Sequence, residues 1–265
     1  MDNESGIVFA GLMPHAPVLI PEVGRGRERE AGAVAEGMRE LSRRAVAVDP
    51  ARLVIVSPHT PRPANGFGLW SEGRIRGDLG RFGTPQVVID LPNDLELGRR
   101  LGEITKPIAG QDLDHGASVP LYFLCEAGWS GPTTLISVAY PGRGAPAEFG
   151  RQLGEIATKI EGRSVFIASG DMSHALKPGA PAGYNPRAQD FDDRFVEIMK
   201  TGNCDQIAQI DPDLRALAAE DVADSTLMAS AATGGSQHGS EFLAYQNPFG
   251  VGYSVAVMFD GTSDG

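Results

Sequence analysis

The stretch Leu53-Val54-Ile55-Val56-Ser57-Pro58-His59-Thr60-Pro61 decides the fold. Its short apolar, β-branched run reads as a buried strand, and the proline after it ends the regular backbone and fixes the direction of the chain. A histidine therefore stands just beyond a strand end. Working outward, similar runs recur at Ile7 to Phe9, Val87 to Ile89, Thr134 to Val138, Val165 to Ala168 and Ser254 to Phe259. Between several of them lie stretches with helical spacing: Glu28 to Val46, Leu95 to Thr105, Ala147 to Ile160, Phe191 to Lys200 and Leu214 to Ala232. Strands alternating with helices predict an α/β fold of three layers, with a mostly parallel or mixed central sheet flanked by helices. In such a sheet the carboxyl ends of the strands face one crevice, so residues just past different strands converge there. No repeat, low-complexity tract or clear linker divides residues 1–265, which predicts a single domain. The segment Lys177 to Arg187, rich in Pro and Gly, is the expected irregular rim of a site.

Composition narrows the function classes. With 42% hydrophobic and 22% charged residues in 265, the chain can bury one substantial core. A net charge of -11 opposes binding to phosphate backbones and anionic lipid surfaces, so neither nucleic acid nor membrane is an expected partner. No run of about 18 apolar residues occurs, and the opening Met1-Asp2-Asn3-Glu4-Ser5 is polar, unlike a secretory leader. The two cysteines, Cys125 and Cys204, lie far apart and suggest neither a disulfide framework nor a zinc-thiolate knuckle. A reducing cytoplasm is the expected compartment.

Four of the five histidines flank apolar segments. His15 follows Ile7 to Met13 and lies among Pro14, Pro17 and Pro21. His59 has the same strand-end placement and the same preceding proline. A rigid loop fixes the direction of a neutral imidazole, which binds Fe, Zn or Cu well. His115, in Asp112-Leu113-Asp114-His115-Gly116, reads as a pocket histidine with an acid beside it to steer its tautomer and a glycine to admit substrate. It reads equally as part of an Asp-Gly turn. His174, in Ser169-Gly170-Asp171-Met172-Ser173-His174, follows a buried strand, and Asp171 or Ser173 there also suits a helix cap. His238, in a Gly-rich loop, is given no role. A ferrous site usually adds one carboxylate to two histidines. The region for it is Ala218-Ala219-Glu220-Asp221-Val222-Ala223-Asp224, whose acids also suit the dipole of a helix start; Glu241 is a remoter candidate.

Five segments, in order, resemble the class III extradiol dioxygenase superfamily, whose relatives include the catalytic subunit of protocatechuate 4,5-dioxygenase and the Memo proteins. They are Gly11 to Pro17, Ser57 to Thr60, Leu113 to Leu121, Ser169 to His174 and Pro248 to Tyr253, and together they span nearly the whole chain. The resemblance implies Fe(II), with Zn or Mn as alternatives, and His15 and His59 as its ligands. It implies an acid/base pair in His115 and His174, with His174 preferred because Asp171 lies close in sequence. The third ligand it implies is Glu220, or Asp221 if the register shifts by one. It further implies a small aromatic diol or aminophenol substrate, O2 as co-substrate and a homo-oligomer. Two other classes compete: a Memo-like metal-binding protein without ring cleavage, and a zinc-dependent hydrolase. Tyr184, Trp70, Phe249 and Tyr253 are the candidate substrate contacts.

Overall fold

Along Arg52–Ser57, alternate side chains serve opposite layers. Val54 and Val56 join one buried apolar cluster, while Leu53 and Ile55 join another on the opposite face. That is the period of two that a strand imposes. Complete burial of each such side chain contributes about 1.5–3 kcal/mol, which fixes this segment at the centre of the fold.

The structure, a computed structural model, describes residues 5–109 and 112–263; the polar opening Met1 to Glu4 lies outside them. Its strands are β1 (Ser5–Met13), β2 (Arg52–Ser57), β3 (Phe67–Trp70), β4 (Arg74–Leu79), β5 (Thr84–Pro92), β6 (Thr105–Ile108), β7 (Thr133–Ser137), β8 (Gly162–Ser169), β9 (Glu241–Gln246) and β10 (Tyr253–Asp260). Its helices are α1 (Pro21–Gly24), α2 (Gly32–Ala47), α3 (Leu95–Leu101), α4 (His115–Glu126), α5 (Pro146–Ala157), α6 (Ala188–Thr201), α7 (Pro212–Ala218) and α8 (Ala223–Ala232). Eight strands form one sheet in the order β6-β3-β7-β2-β8-β1-β10-β9, and β4 and β5 pair separately as an antiparallel hairpin. Met38 and Leu41 of α2 and Leu121 and Leu124 of α4 pack with Leu53 and Ile55 on one face. Leu153 of α5, Phe195 of α6 and Met228 of α8 pack with Val54 and Val56 on the other. The three-layer α/β architecture expected from the sequence is therefore present, with a sheet that is mostly parallel.

What positions the site is the parallel run β1, β8, β2. Met13 lies opposite Ser169 and Val56 opposite Ala168, so the three strands end along one edge and deliver His15, Asp171 and His59 to one place. Two expectations are corrected by the fold. Val87 to Ile89 lies on β5, outside the main sheet, where Ile89 is buried but Val88 is 50% exposed. Leu214 to Ala232 is two helices: α7 ends at Ala218, capped by Ala219, whose φ of 53° is left-handed, and α8 starts at Ala223. The break holds Glu220 and Asp221. No helix among the described residues is long and apolar enough to cross a membrane.

Candidate metal centre

His15 is buried, and its backbone N–H donates to Asp171 Oδ1 at 2.8 Å. Its Nδ1 stands 3.0 Å from Ser169 Oγ, and that hydroxyl spends its own hydrogen on the Gly116 carbonyl at 2.5 Å. Ser169 can therefore only accept from Nδ1–H, which leaves the Nε2 lone pair of His15 free. Burial holds the imidazole down to about 4 against the pull of Asp221, so at neutral pH it is an uncharged ligand-type nitrogen.

That free nitrogen faces His59 Nε2 at 3.0 Å, and Asp221 Oδ2 lies 3.2 Å from His59 Nε2 and 3.6 Å from His15 Nε2. Donors about 2.1 Å from one ion stand roughly 3.0–3.4 Å apart, so the three atoms are spaced as donors to a shared metal. Two imidazoles and one carboxylate are also the set that non-haem ferrous oxygenases use. The residues present thus fit a metal ion. Asp221 is aimed by its neighbours: the Asp171 backbone N–H donates to its Oδ1 at 2.7 Å, and its own N–H donates to the Asp171 carbonyl. Burial works against its charge, but His15 and the hydrogen bond from His59 outweigh it and hold the carboxyl low. At His59 burial is the largest single influence and pulls the imidazole down, but the hydrogen bond to Asp221 and the charges of Asp221, Asp114 and Asp171 together outweigh it and pull it up. Asp171, buried beside Asp221, is pushed up.

Glu220 faces elsewhere. Its Oε1 pairs with Arg215 at 2.5 Å, and its Oε2 accepts from the backbone N–H groups of Val222 and Ala223, both at 2.8 Å. It caps α8 and does not reach the histidines. Glu241 is an exposed partner of Arg44.

His115 opens α4, with Asp114 as its cap. Asp114 does not steer His115; it accepts from Ser57 Oγ, Thr60 Oγ1 and the Ala117 N–H. The imidazole stacks on His59, ring centroids 4.2 Å apart and planes 27° from parallel, and burial pushes it down to about 4. Gly116 admits protein here: a Cβ would stand 2.4 Å from Ser57 Oγ and 3.2 Å from the His59 ring. His15, His59 and His115 bring their ligand atoms within 4.8 Å of one another, a group able to hold a metal.

His174 lies close enough for its charge to bear on Asp171 and Asp221. Its Nδ1 is buried and has no hydrogen-bond partner among the described residues. The segment Lys177 to Arg187 is irregular, as expected, and folds back on it: Ala182 N–H donates to the His174 carbonyl and Asn185 N–H to that of Ala175. His238 is an exposed loop residue bonded to the Ser263 carbonyl.

Beside His59 and His115 opens a cavity of about 600 Å³, walled in part by Arg81 and Phe82 from the hairpin tip. Phe82 meets His115 edge-on at 5.8 Å. None of the four aromatic residues expected at the substrate lines this space. Trp70 is buried with its Nε1–H on the Arg74 carbonyl, Tyr253 is buried, Phe249 lies under Arg27 and Tyr184 is 57% exposed. Phe82 escaped sequence reasoning because a lone aromatic between Arg81 and Gly83 carries no periodic signal; the hairpin alone brings it to the site.

The chain is similar to known proteins along most of its length. A family described as the catalytic LigB subunit of aromatic ring-opening dioxygenase matches residues 9–256. Protein CA_C1420 of Clostridium acetobutylicum is 30% identical over 263 residues, covering 93% of this chain but 56% of the relative, so the chain spans little more than half of that protein's length. The solved structure of an uncharacterized protein, JW3007 from Escherichia coli K12, superposes with a TM-score of 0.55 at 15% identity, covering 94% of this chain and 98% of the other. That likeness concerns the fold alone.

Proposed function

Because the chain belongs to the LigB family of catalytic subunits of aromatic ring-opening dioxygenases, we propose that it is an Fe(II)-dependent extradiol dioxygenase acting on a catechol-type or aminophenol-type ring with O2. The observation that carries the reading is the convergence of His15 Nε2, His59 Nε2 and Asp221 Oδ2 within 3.0 to 3.6 Å of one another. In this reading they are the three metal ligands. His115 is not, because its ring stacks on His59. Near-parallel imidazoles send their in-plane lone pairs along different planes, so an ion in the plane of His59 lies off that of His115.

Iron held there supplies a Lewis-acidic, redox-active centre with open positions for substrate and oxygen. The protein's own groups do the rest. Ser169 locks the His15 tautomer, and the Asp171 N–H fixes the Asp221 carboxylate. His174 takes the proton of a substrate hydroxyl on its unpartnered Nδ1 and returns it as the ring opens, the general-base and general-acid role an imidazole can fill in turn. His115, kept neutral by burial, offers the cavity a hydrogen-bonding nitrogen, and Phe82 covers the ring and excludes water.

The test is oxygen uptake together with the absorbance of the ring-fission product, after anaerobic loading with Fe(II) and addition of catechols and aminophenols. Uptake matched by a yellow product is expected. Tight iron binding with no uptake on any substrate would contradict the reading.

A further inference from the structure

Of the three proposed ligands, His59 is the least enclosed: its imidazole is 35% exposed, while Ser57, Pro58 and Thr60 around it are buried. Burial fixes the chain on both sides of His59 but leaves its ring to be aimed by hydrogen bonds. Those bonds meet on one carboxylate. Ser57 Oγ accepts from the His59 backbone N–H at 3.1 Å and donates to Asp114 Oδ1 at 2.6 Å. From the other side of His59, Thr60 Oγ1 donates to Asp114 Oδ2 at 2.5 Å. The turn that carries His59 is thus held at both ends by the two oxygens of one side chain. Arg62 braces it further, its guanidinium donating to the Pro58 carbonyl at 2.7 and 3.2 Å.

Asp114 is at the same time the cap of α4, its Oδ1 accepting from the Ala117 N–H at 3.1 Å. The carboxylate therefore ties the loop after β2 to the first turn of the helix that bears His115. Gly116 permits the approach, since a Cβ there would stand 3.0 Å from Asp114 Oδ1 as well as 2.4 Å from Ser57 Oγ. Capping alone asks for one acceptor atom, which Ser, Thr or Asn also supplies. The two hydroxyls of the His59 turn use the rest of what an ionised carboxylate can accept, and a hydroxyl cap could not hold all three donors.

We propose that Asp114 is a positioning residue for the metal centre: by holding Ser57 and Thr60 it aims His59 Nε2 at the ion shared with His15 and Asp221. It touches neither the ion nor the substrate. The inference rests on the metal-centre reading and adds the group that orients its most exposed ligand.

Calorimetric titration of the whole chain with Co(II), an air-stable divalent probe whose visible bands change with its ligands, tests it. The proteins compared are the parent, Asp114→Ala, Thr60→Val, the double variant of these two, and His15→Ala. Asp114→Ala should bind Co(II) about 10–100-fold more weakly than the parent, the usual loss when a group that orients a metal-bound histidine is removed. Thr60→Val separates positioning from capping, because it cuts the tie to the turn and leaves Asp114 Oδ1 on the Ala117 N–H. It should bind about tenfold more weakly, with altered Co(II) bands. In the double variant binding should be no weaker than in Asp114→Ala, since both changes break one link. Parent-level affinity in Asp114→Ala, parent-level affinity and bands in Thr60→Val, or losses that add in the double variant would overturn the inference. If Asp114→Ala fails to fold, Thr60→Val alone decides. Loss of Co(II) binding in His15→Ala beside parent-level binding in Thr60→Val would leave the metal centre standing and remove this inference. A parent that binds no Co(II), or undiminished binding in His15→Ala, would remove the metal centre and the inference with it.

Discussion

Asp221 and Glu220 are adjacent, and the structure gives them different work. Asp221 faces two imidazoles, while Glu220 caps α8 and pairs with Arg215. The proposal therefore predicts that Asp221→Ala loses iron with little change in stability of the metal-free protein. Glu220→Ala should keep iron but cost about 1–2 kcal/mol, from a lost cap and an Arg215 left with Asp224 alone. Metal analysis of the purified variants, beside urea melts, separates the two; iron loss in Glu220→Ala with full retention in Asp221→Ala would reverse the assignment. In the same assay His15→Ala and His59→Ala should retain no iron, whereas His174→Ala should retain it and lose turnover by about 10²–10⁴-fold. Strand-end placement and preceding prolines made His15 and His59 legible in the sequence. The choice between Glu220 and Asp221 was not, because it depends on the left-handed Ala219 and on where Arg215 reaches.

Elements carry the next level of precision. Gly170 follows β8 and lets the Val222 backbone come so close that an added Cβ would stand 2.3 Å from the Val222 Cα. Gly170→Ala should therefore push the Asp221 segment away from His15 and His59, weakening metal binding and costing about 1–3 kcal/mol of stability. A metal titration with parent-like affinity would show that the segment moves freely. On α6, Asp192 is fully buried, accepts from the Ser173 N–H at 2.9 Å and the Tyr245 hydroxyl at 2.8 Å, and is pushed up to about 7 by burial. Its folded value lies above its unfolded one, so between about pH 4 and 7 the native state binds the extra proton and stability falls as pH rises. Asp192→Asn should remove that fall, a difference of up to about 1.4 kcal/mol per pH unit across this window and constant above it. Urea melts of the metal-free protein at stepped pH measure it, and superimposable pH dependence in the two proteins would exclude the effect. The main strands were legible because apolar β-branched runs are a local signal. The hairpin tip was not: β4 and β5 bury alternate residues at most, and their direction over the cavity is set by tertiary packing.

For the whole molecule, the proposed ligand set, drawn from just beyond β1 and β2 and just before α8, comes together only when the sheet and the helical layer are assembled. In the proposed reading, metal binding is then coupled to folding. Saturating Fe(II) should raise the melting temperature of the parent and of Glu220→Ala but not of Asp221→Ala, as followed by calorimetry under anaerobic conditions. An equal rise in all three would place the ion elsewhere. The three-layer order was legible because alternating strands and helices leave few ways to bury both faces of a sheet. The convergence of His15 and His59 could be expected from the same rule, but their distance needed the assembled sheet. The central claim is that this assembly opens an aromatic ring with dioxygen. Its most direct test is mass spectrometry of the product formed from a dihydroxybenzoate by the Fe(II)-loaded protein under ¹⁸O₂. The account predicts a ring-opened acid carrying both labelled atoms; an intact ring, or a product labelled only from water, would contradict it.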